Sequence, residues 1–231
     1  MDRRRKSRLA SRGFTLVELM VVILIILVLA MLVTLGANRF MEKGRKVQAM
    51  AQFRDFQVGM SLFEGDYQKP PIPKEKRDYG WDIIYSDPNG DAKNGFLVGV
   101  LAGEDKDYPY QGRSFSTKDT NPRAEAYMTF PFAPDKKSGV GPDGNLYDPW
   151  GHEVLVAVNS LNAPGQDLLD SNGGNNDRLL STFGFGEYTD TKPKEQSFVF
   201  WSYGKDGKKG KSAPNNSSVV PLTGSDDAIS W

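Results

Sequence analysis

The sequence contains no cysteine and only one histidine among its 231 residues. Disulfides are therefore excluded, and so are zinc sites built from cysteine clusters or histidine pairs. The single histidine, His152, follows the turn-like residues Asp148-Pro149-Trp150-Gly151, and we interpret it as structural. It offers no basis for a Ser-His-Asp catalytic set. Nor does the sequence contain a glycine-rich phosphate-binding loop.

The chain also lacks a net charge, because its 29 basic and 29 acidic residues cancel. Six of the basic residues and one acid lie in the first thirteen positions, which leaves 23 basic and 28 acidic residues after Gly13. The remainder of the chain is thus mildly acidic. A nucleic-acid-binding surface needs a basic face that neutralises phosphates, so this class of function is not indicated.

The sequence does contain one long apolar run near its start. Residues 19–35 carry no charge, and this length is just sufficient to span a bilayer as a helix. The run is too long for a cleaved secretory signal and no small-x-small site follows it. Arginines precede the run and place its N-terminal end in the cytoplasm. We predict a basic leader at residues 1–13 and a transmembrane helix at residues 14–36.

A single acid, Glu18, lies at the start of this apolar run. A carboxylate at membrane depth is costly, so it usually has a partner. An uncleaved signal anchor explains the rest of the segment, but it leaves Glu18 without a role. We therefore expect another molecule to supply the counter-ion of Glu18.

The string Arg-Gly-Phe-Thr-Leu-Val-Glu, residues 12–18, resembles the processing site of type IV pilins and type II secretion pseudopilins. In that family, prepilin peptidase cuts after the glycine and methylates the new N-terminal amine. The resemblance implies cleavage between Gly13 and Phe14, and pairing of Glu18 with the amine of a neighbouring subunit. It also implies a single-pass inner-membrane protein with a periplasmic head. Many relatives have a proline near the end of the apolar run, whereas this chain has Gly36, so we expect a straighter helix.

The helical pattern continues past the apolar run. Apolar residues recur at spacings of three and four, which marks one face of an amphipathic helix. We predict a single helix over about 14–63, with its amphipathic part at 37–66, ended by Gly65-Asp66 and the following prolines. The predicted core face of this helix consists of Ala49, Phe53, Phe56, Met60 and Phe63.

The remaining residues, 67–231, predict a globular head. Residues 153–158 and 197–202 are rich in β-branched and aromatic side chains, and we expect antiparallel neighbouring strands joined by the polar stretch 159–196. Residues 79–146 are expected to form loops with short elements, including a helix at 95–101 and an extended piece at 128–132. The predicted fold class is α+β, with a long N-terminal helix packed on a small antiparallel sheet with extended loops.

Oxygen ligands are concentrated in two segments, 202–210 and 224–231. Asp206, Asp226 and Asp227 would meet if the last segment folded back on the first, and such carboxylates suit Ca²⁺. Asp-Gly is also ordinary turn chemistry, and paired aspartates near a terminus are often only solvated. A further acidic stretch, 170–177, imitates the start of an EF-hand loop but lacks the downstream glutamate, so we interpret it as a polar loop.

The succession of Asp-Pro-Trp-Gly at 148–151, Ser-Tyr-Gly-Lys-Asp-Gly at 202–207 and the terminal Asp-Asp-Ala-Ile-Ser-Trp is similar to the major pseudopilin of type II secretion. That resemblance implies a structural subunit, not an enzyme, which forms a periplasmic filament with its own copies and minor pseudopilins on the inner-membrane secretion platform. It further implies one calcium ion. The ligands by position are Asp206, Asp226, Asp227 and the carbonyls of Tyr203 and Gly224.

Two other functions remain open on the sequence alone. A type IV pilin for adhesion, motility or DNA uptake shares the leader, but pilins commonly close the C-terminal region with a disulfide, which this chain cannot form. A signal-anchored hydrolase or sugar-binding protein could use the C-terminal carboxylates as acid and base. That third interpretation leaves Glu18 unexplained.

Overall fold

The structure, a computed structural model, describes residues 14–76, 83–88, 90–159, 197–210, 222 and 225–230. The predicted leader, the EF-hand-like stretch 170–177 and Gly224 lie outside these residues. By its internal contacts the chain divides into two compact units, Met1–Lys43 and Gly44–Trp231.

The elements follow one another along the chain in a simple order. Helix α1 spans Leu16–Tyr67, and a single 3₁₀ turn at Lys74–Lys76 follows it. The others are β1 Ile83–Tyr85, α2 Gly95–Ala102, β2 Asp107–Tyr110, β3 Arg113–Ser116, α3 Thr117–Thr120, β4 Gly139–Val140, β5 Leu146–Tyr147, β6 Leu155–Val158, β7 Phe198–Ser202 and β8 Ala228–Ile229.

Apart from Glu18, the first part of α1 is apolar on all sides. Its stretch Leu16–Val33 comprises 18 residues with a mean hydropathy of 3.3, and it is long and apolar enough to cross a membrane. None of this stretch is buried within the chain. The helix runs without interruption through Gly36, because glycine weakens a helix only mildly where proline would remove a hydrogen bond.

The head half of α1 buries the face that its apolar spacing predicts. The aromatic side chains of this face meet the sheet, with the rings of Phe53 and Phe56 centred 6.2 and 5.2 Å from that of Phe200. The prediction of core packing against a sheet is therefore confirmed. The buried residues of the face are Ala49, Phe53, Phe56, Met60 and Phe63, each exposed by 1% or less.

Helix α1 ends four residues later than the predicted end at Phe63. Gly65 remains helical, and the helix ends at Tyr67. Gln68 then adopts a left-handed φ of 55°, and Pro70 prevents the helix from resuming. Of the two predicted stop signals, Gly65-Asp66 therefore lies within the helix, whereas the prolines follow its end as expected.

A four-stranded antiparallel sheet forms the centre of the head, in the order β1-β6-β7-β8. In its middle, Leu155 lies opposite Trp201 and Val158 opposite Phe198. The two strands predicted from composition are thus confirmed as antiparallel neighbours. Both faces of the sheet are buried, so the residues of β6 and residues 198–201 of β7 are all apolar instead of alternating with polar residues.

The outer edge of β1 is covered by the chain that follows it. The Asp91 carboxylate accepts a hydrogen bond from the Ile84 N–H at 2.9 Å, and the Asp91 N–H donates to the Ile84 carbonyl at 2.6 Å. The Ser86 N–H donates to the Ala92 carbonyl at 2.8 Å. Asp91 also pairs with the ammonium of Lys76 at 3.2 Å. Residues 91–92 therefore occupy hydrogen-bonding groups that an edge strand would otherwise expose.

The central stretch of the head contains more regular structure than the sequence predicts. The expected short helix is confirmed as α2, whose Phe96 packs on Tyr108 and Phe115 from the hairpin of β2 and β3. The hairpin turn uses Gln111 and Gly112, both with positive φ, as a two-residue hairpin turn requires. The extended piece 128–132 is not a regular strand; it makes one isolated bridge, from Phe132 to Val140.

Candidate functional site

The start of α1 is organised by Thr15 and Glu18. The N–H and hydroxyl of Thr15 donate to Oε2 of Glu18 at 2.9 and 2.8 Å. In return, the Glu18 N–H donates to Oγ1 of Thr15 at 3.2 Å. This reciprocal arrangement is a capping box, which satisfies amide groups that have no partner within the helix.

The capping box gives Glu18 a local role that the sequence analysis missed. Its signal, a threonine followed three residues later by a glutamate before an apolar run, was present in the sequence. Both bonds from Thr15 end on the same carboxylate oxygen, so capping does not require the second oxygen to bond within the chain. Phe14, the predicted mature N-terminus, is 80% exposed and immediately precedes the cap. Gly13 lies outside the described residues.

At the other end of the chain, the terminal segment folds back on the loop after β7. One oxygen of the Asp226 carboxylate accepts hydrogen bonds from the N–H groups of Lys205 and Asp206, at 2.5 and 3.0 Å. Gly204 has a φ of 65°, and a Cβ added there would lie 2.5 Å from the carbonyl oxygen of Asp226. This close approach of two backbones requires glycine at position 204.

The two other candidate carboxylates also bond to amides of this loop. Asp227 is fully buried and accepts a hydrogen bond from the Gly210 N–H at 2.5 Å. Asp206 is exposed and accepts one from the Lys208 N–H at 2.8 Å, which is an ordinary aspartate turn. The structure therefore brings Asp206, Asp226 and Asp227 to one loop, each held by backbone N–H groups.

Tyr203 lies at the base of this loop and is half-buried. Burial raises the pKa of its phenol to about 12; contact with Trp201 acts in the opposite direction, and nearby Asp87 and Asp227 raise the pKa further. The phenol is accordingly neutral at physiological pH. Its ring packs with the apolar cluster on the second face of the sheet, so the main-chain carbonyl is the group of Tyr203 suited to a cation.

A fourth aspartate, Asp148, holds the neighbouring turn together. Its Oδ1 accepts hydrogen bonds from the N–H groups of Trp150, Gly151 and His152 at 2.8, 2.8 and 2.9 Å. The hydroxyl of Ser202 donates to its other oxygen. This carboxylate is fully buried, and it links the turn before β6 to the end of β7. In the sequence, Asp148 is recognisable only as part of the Asp-Pro-Trp-Gly motif, which does not predict this role.

Within the residues that the structure describes, no group of three acidic or histidine side chains is arranged to hold a metal ion. The carboxylates near the C-terminus are held by backbone amides instead. One of the five predicted ligands, Gly224, lies outside the described residues. The calcium site therefore stays a prediction.

Comparison with known proteins identifies the N-terminal segment. Residues 8–34 match the protein family described as the prokaryotic N-terminal methylation motif. No curated protein and no solved structure matches the chain. The matched residues include the candidate cleavage site, the capping box and the apolar start of α1. The chain thus carries a type IV pilin-like prepilin signal followed by an N-terminal apolar helix.

Proposed function

We propose that this chain is a major pseudopilin-like structural subunit of a type II secretion system. It enters the inner membrane with its head in the periplasm, is processed by prepilin peptidase and joins a filament that drives protein secretion. The observation that carries the proposal is the methylation motif at residues 8–34, which ends inside an apolar helix with Glu18 in its first turn. Minor pseudopilins and the secretion inner-membrane platform are the further partners.

The physical basis of assembly is the unpartnered apolar part of α1. Its side chains are covered by lipid before assembly and by the equivalent helices of other copies afterwards. Cleavage creates an ammonium at Phe14, and the Glu18 carboxylate of an adjacent copy neutralises it. Two charges that are separately costly in an apolar medium become tolerable together. Because this contact joins different surfaces of identical copies, it generates an open filament.

The processing step is tested by replacing Gly13 with alanine. The natural chain is expected to begin at a methylated Phe14, whereas Gly13→Ala keeps its leader, because the peptidase recognises the residue before the scissile bond. Intact-mass measurement of the protein extracted from membranes of peptidase-containing cells distinguishes the two forms. Ser11→Ala, two positions away, is the matched control and should be processed normally.

Two results would overturn the proposed processing. One is a natural chain that still begins at Met1 in cells with active prepilin peptidase. The other is a Gly13→Ala chain that loses its leader as completely as the Ser11→Ala control.

The choice of a pseudopilin over a pilin rests on the C-terminal end of the head. The chain has no cysteine to close this region, and Asp226 and Asp227 join the terminal segment to the loop after β7. A type IV pilin is the second candidate, since the methylation motif is common to both. Deletion of the gene separates the two: lost secretion of a folded exoprotein supports the pseudopilin, and lost surface pili with intact secretion supports the pilin.

We also propose that calcium binds at this loop. The donor set fits a hard cation in its chemistry, because Asp206, Asp226 and Asp227 each bond to amides of the same loop, and carboxylates and main-chain carbonyls are the ligands that Ca²⁺ prefers. Asp206, Asp226, Asp227 and the carbonyls of Tyr203 and Gly224 would hold the ion. Bound calcium would link residues 226–227 to the loop after β7 and so stabilise a domain that has no disulfide.

Calcium binding is expected to raise the melting temperature of the full-length protein in detergent, because an ion that binds only the folded state stabilises it. At a calcium concentration about 100 times the dissociation constant, the gain is about 2.7 kcal/mol. Asp226→Ala should abolish the calcium-dependent rise, whereas Asp119→Ala, an exposed aspartate on α3, should retain it. Equal melting temperatures in calcium and in chelator would refute the site.

A further inference from the structure

The exposed side of α1 in the head carries two different surfaces next to each other. The first is a ridge formed by Arg54, Val58 and Leu62, which follow one another at intervals of four residues. Val58 and Leu62 are 55% and 54% exposed. Arg54 is also exposed, so the ridge presents one cation and two apolar side chains to the surroundings.

The second surface is a groove of about 250 Å³ between α1 and the extended segment 128–131. Gln48, Ala51 and Asp55 line it on the helix side. Met128, Phe130 and Pro131 line it on the other, so the opposite wall is largely apolar. Asp55 is exposed and is the one charged residue in the lining of this groove.

The ridge and the groove are complementary in charge and in apolar character. The ridge offers a guanidinium with an apolar pair, and the groove offers a carboxylate with an apolar wall. Arg54 and Asp55 are adjacent in sequence and point in different directions on the helix, so they do not form an ion pair with each other. Within the described part of the chain neither residue forms an ion pair.

We infer that the Arg54-Val58-Leu62 ridge of one copy docks into the Asp55 groove of the next copy. This inference rests on the proposed function, because a filament of identical subunits needs two different, mutually complementary surfaces on each subunit. The guanidinium of Arg54 pairs with the carboxylate of Asp55, and Val58 and Leu62 cover Met128 and Phe130. The segment 128–131 thereby acquires a role in assembly.

The test is a charge exchange within the full-length chain, expressed in cells that process and assemble it. Arg54→Glu and Asp55→Lys should each reduce the filament yield by about tenfold or more, because like charges then face each other in a partly desolvated contact. The double variant Arg54→Glu/Asp55→Lys restores the pair and should recover most of the yield. Lys74→Glu, a charge reversal at an exposed residue of the 3₁₀ turn, is the control and should assemble as the parent does.

A second measurement uses the absence of cysteine in the chain. Val58→Cys/Pro131→Cys introduces the only thiols, and mild oxidation of assembled filaments should produce a ladder of covalent multimers. Monomeric protein in detergent should give no such ladder. The melting temperature of each charge variant should equal that of the parent, since both charged side chains are exposed.

The outcomes separate this interface from the proposed function. If the parent chain is neither processed nor polymerised, the proposed function fails. If the parent polymerises and both single variants do so equally well, or the double variant is as defective as the singles, the interface is wrong. If filaments form normally but secretion is lost, the surface binds another partner, and docking of a second copy is refuted.

Discussion

Asp148→Ala is expected to destabilise the full-length protein by about 4 kcal/mol, a large value for a single substitution. The carboxylate accepts three backbone hydrogen bonds and one from the Ser202 hydroxyl, in a position without solvent exposure. Its removal takes the side-chain acceptor from four donors: the buried Ser202 hydroxyl and three partly buried N–H groups, of which that of Gly151 keeps a bond to the Asp148 carbonyl at 3.2 Å. Each such donor costs about 1–3 kcal/mol, and water entering the space recovers part of the sum. Urea unfolding followed by tryptophan fluorescence measures the loss.

Two control variants isolate the cause of this loss. Asp148→Asn retains an oxygen for the three amides and loses only the charge and the bond from Ser202, so it should cost about half as much. Asp135→Ala removes an exposed aspartate and should change the stability by less than about 0.5 kcal/mol. Similar unfolding midpoints for Asp148→Ala and Asp135→Ala would contradict the assigned role of Asp148.

Glu18→Gln is expected to reduce filament assembly by about a hundredfold or more while leaving leader cleavage intact. Glutamine serves a capping box as well as glutamate does, so the variant preserves the bonds to Thr15. It removes only the negative charge that neutralises the Phe14 amine of the next copy. An amine left unpaired in an apolar medium costs several kcal/mol, which explains the size of the effect. Filament yield and N-terminal mass are the two measurements.

Thr15→Val is the complementary variant. It deletes the hydroxyl of the capping box, retains the charge of Glu18 and should cost about 1 kcal/mol at the helix start. Assembly should persist in this variant. If Glu18→Gln assembled like the parent and Thr15→Val did not, the function of the carboxylate would be capping, and pairing between copies would be refuted.

The parts of the fold that the sequence predicts correctly are those with a strong apolar pattern. The core face of α1 repeats over several turns, and β6 and the first four residues of β7 are unbroken apolar runs. Strand β1 has only three residues and β8 only two, which is too short for a pattern to emerge. Both depend on pairing with the long strands, so their own composition does not specify them. The end of α1 was predicted to within a few residues, because the prolines that follow it are a local signal, whereas Gly65 is accommodated within the helix.

The candidate site was also predictable from the sequence only where its residues are local to one another. The processing motif is local in sequence, and the family match at residues 8–34 confirms its nature as a prepilin-type signal. The contact of Asp226 with the loop after β7 requires the last segment to fold back on this loop, and only the structure reveals that it does. Asp148 was not assigned a role because its partners include Ser202, 54 residues away. Contacts at such separations have no signature in local spacing.

The covered edge of β1 bears on how copies of this protein coexist at high density. An open edge strand readily pairs with its counterpart on another molecule, which leads to strand exchange and irregular aggregates. Asp91 prevents such pairing because its carboxylate and its N–H both form hydrogen bonds to Ile84. The ion pair with Lys76 holds the Asp91 side chain in position. Ordered filament growth therefore depends on the covered edge of β1 as well as on the surfaces through which the copies bind each other.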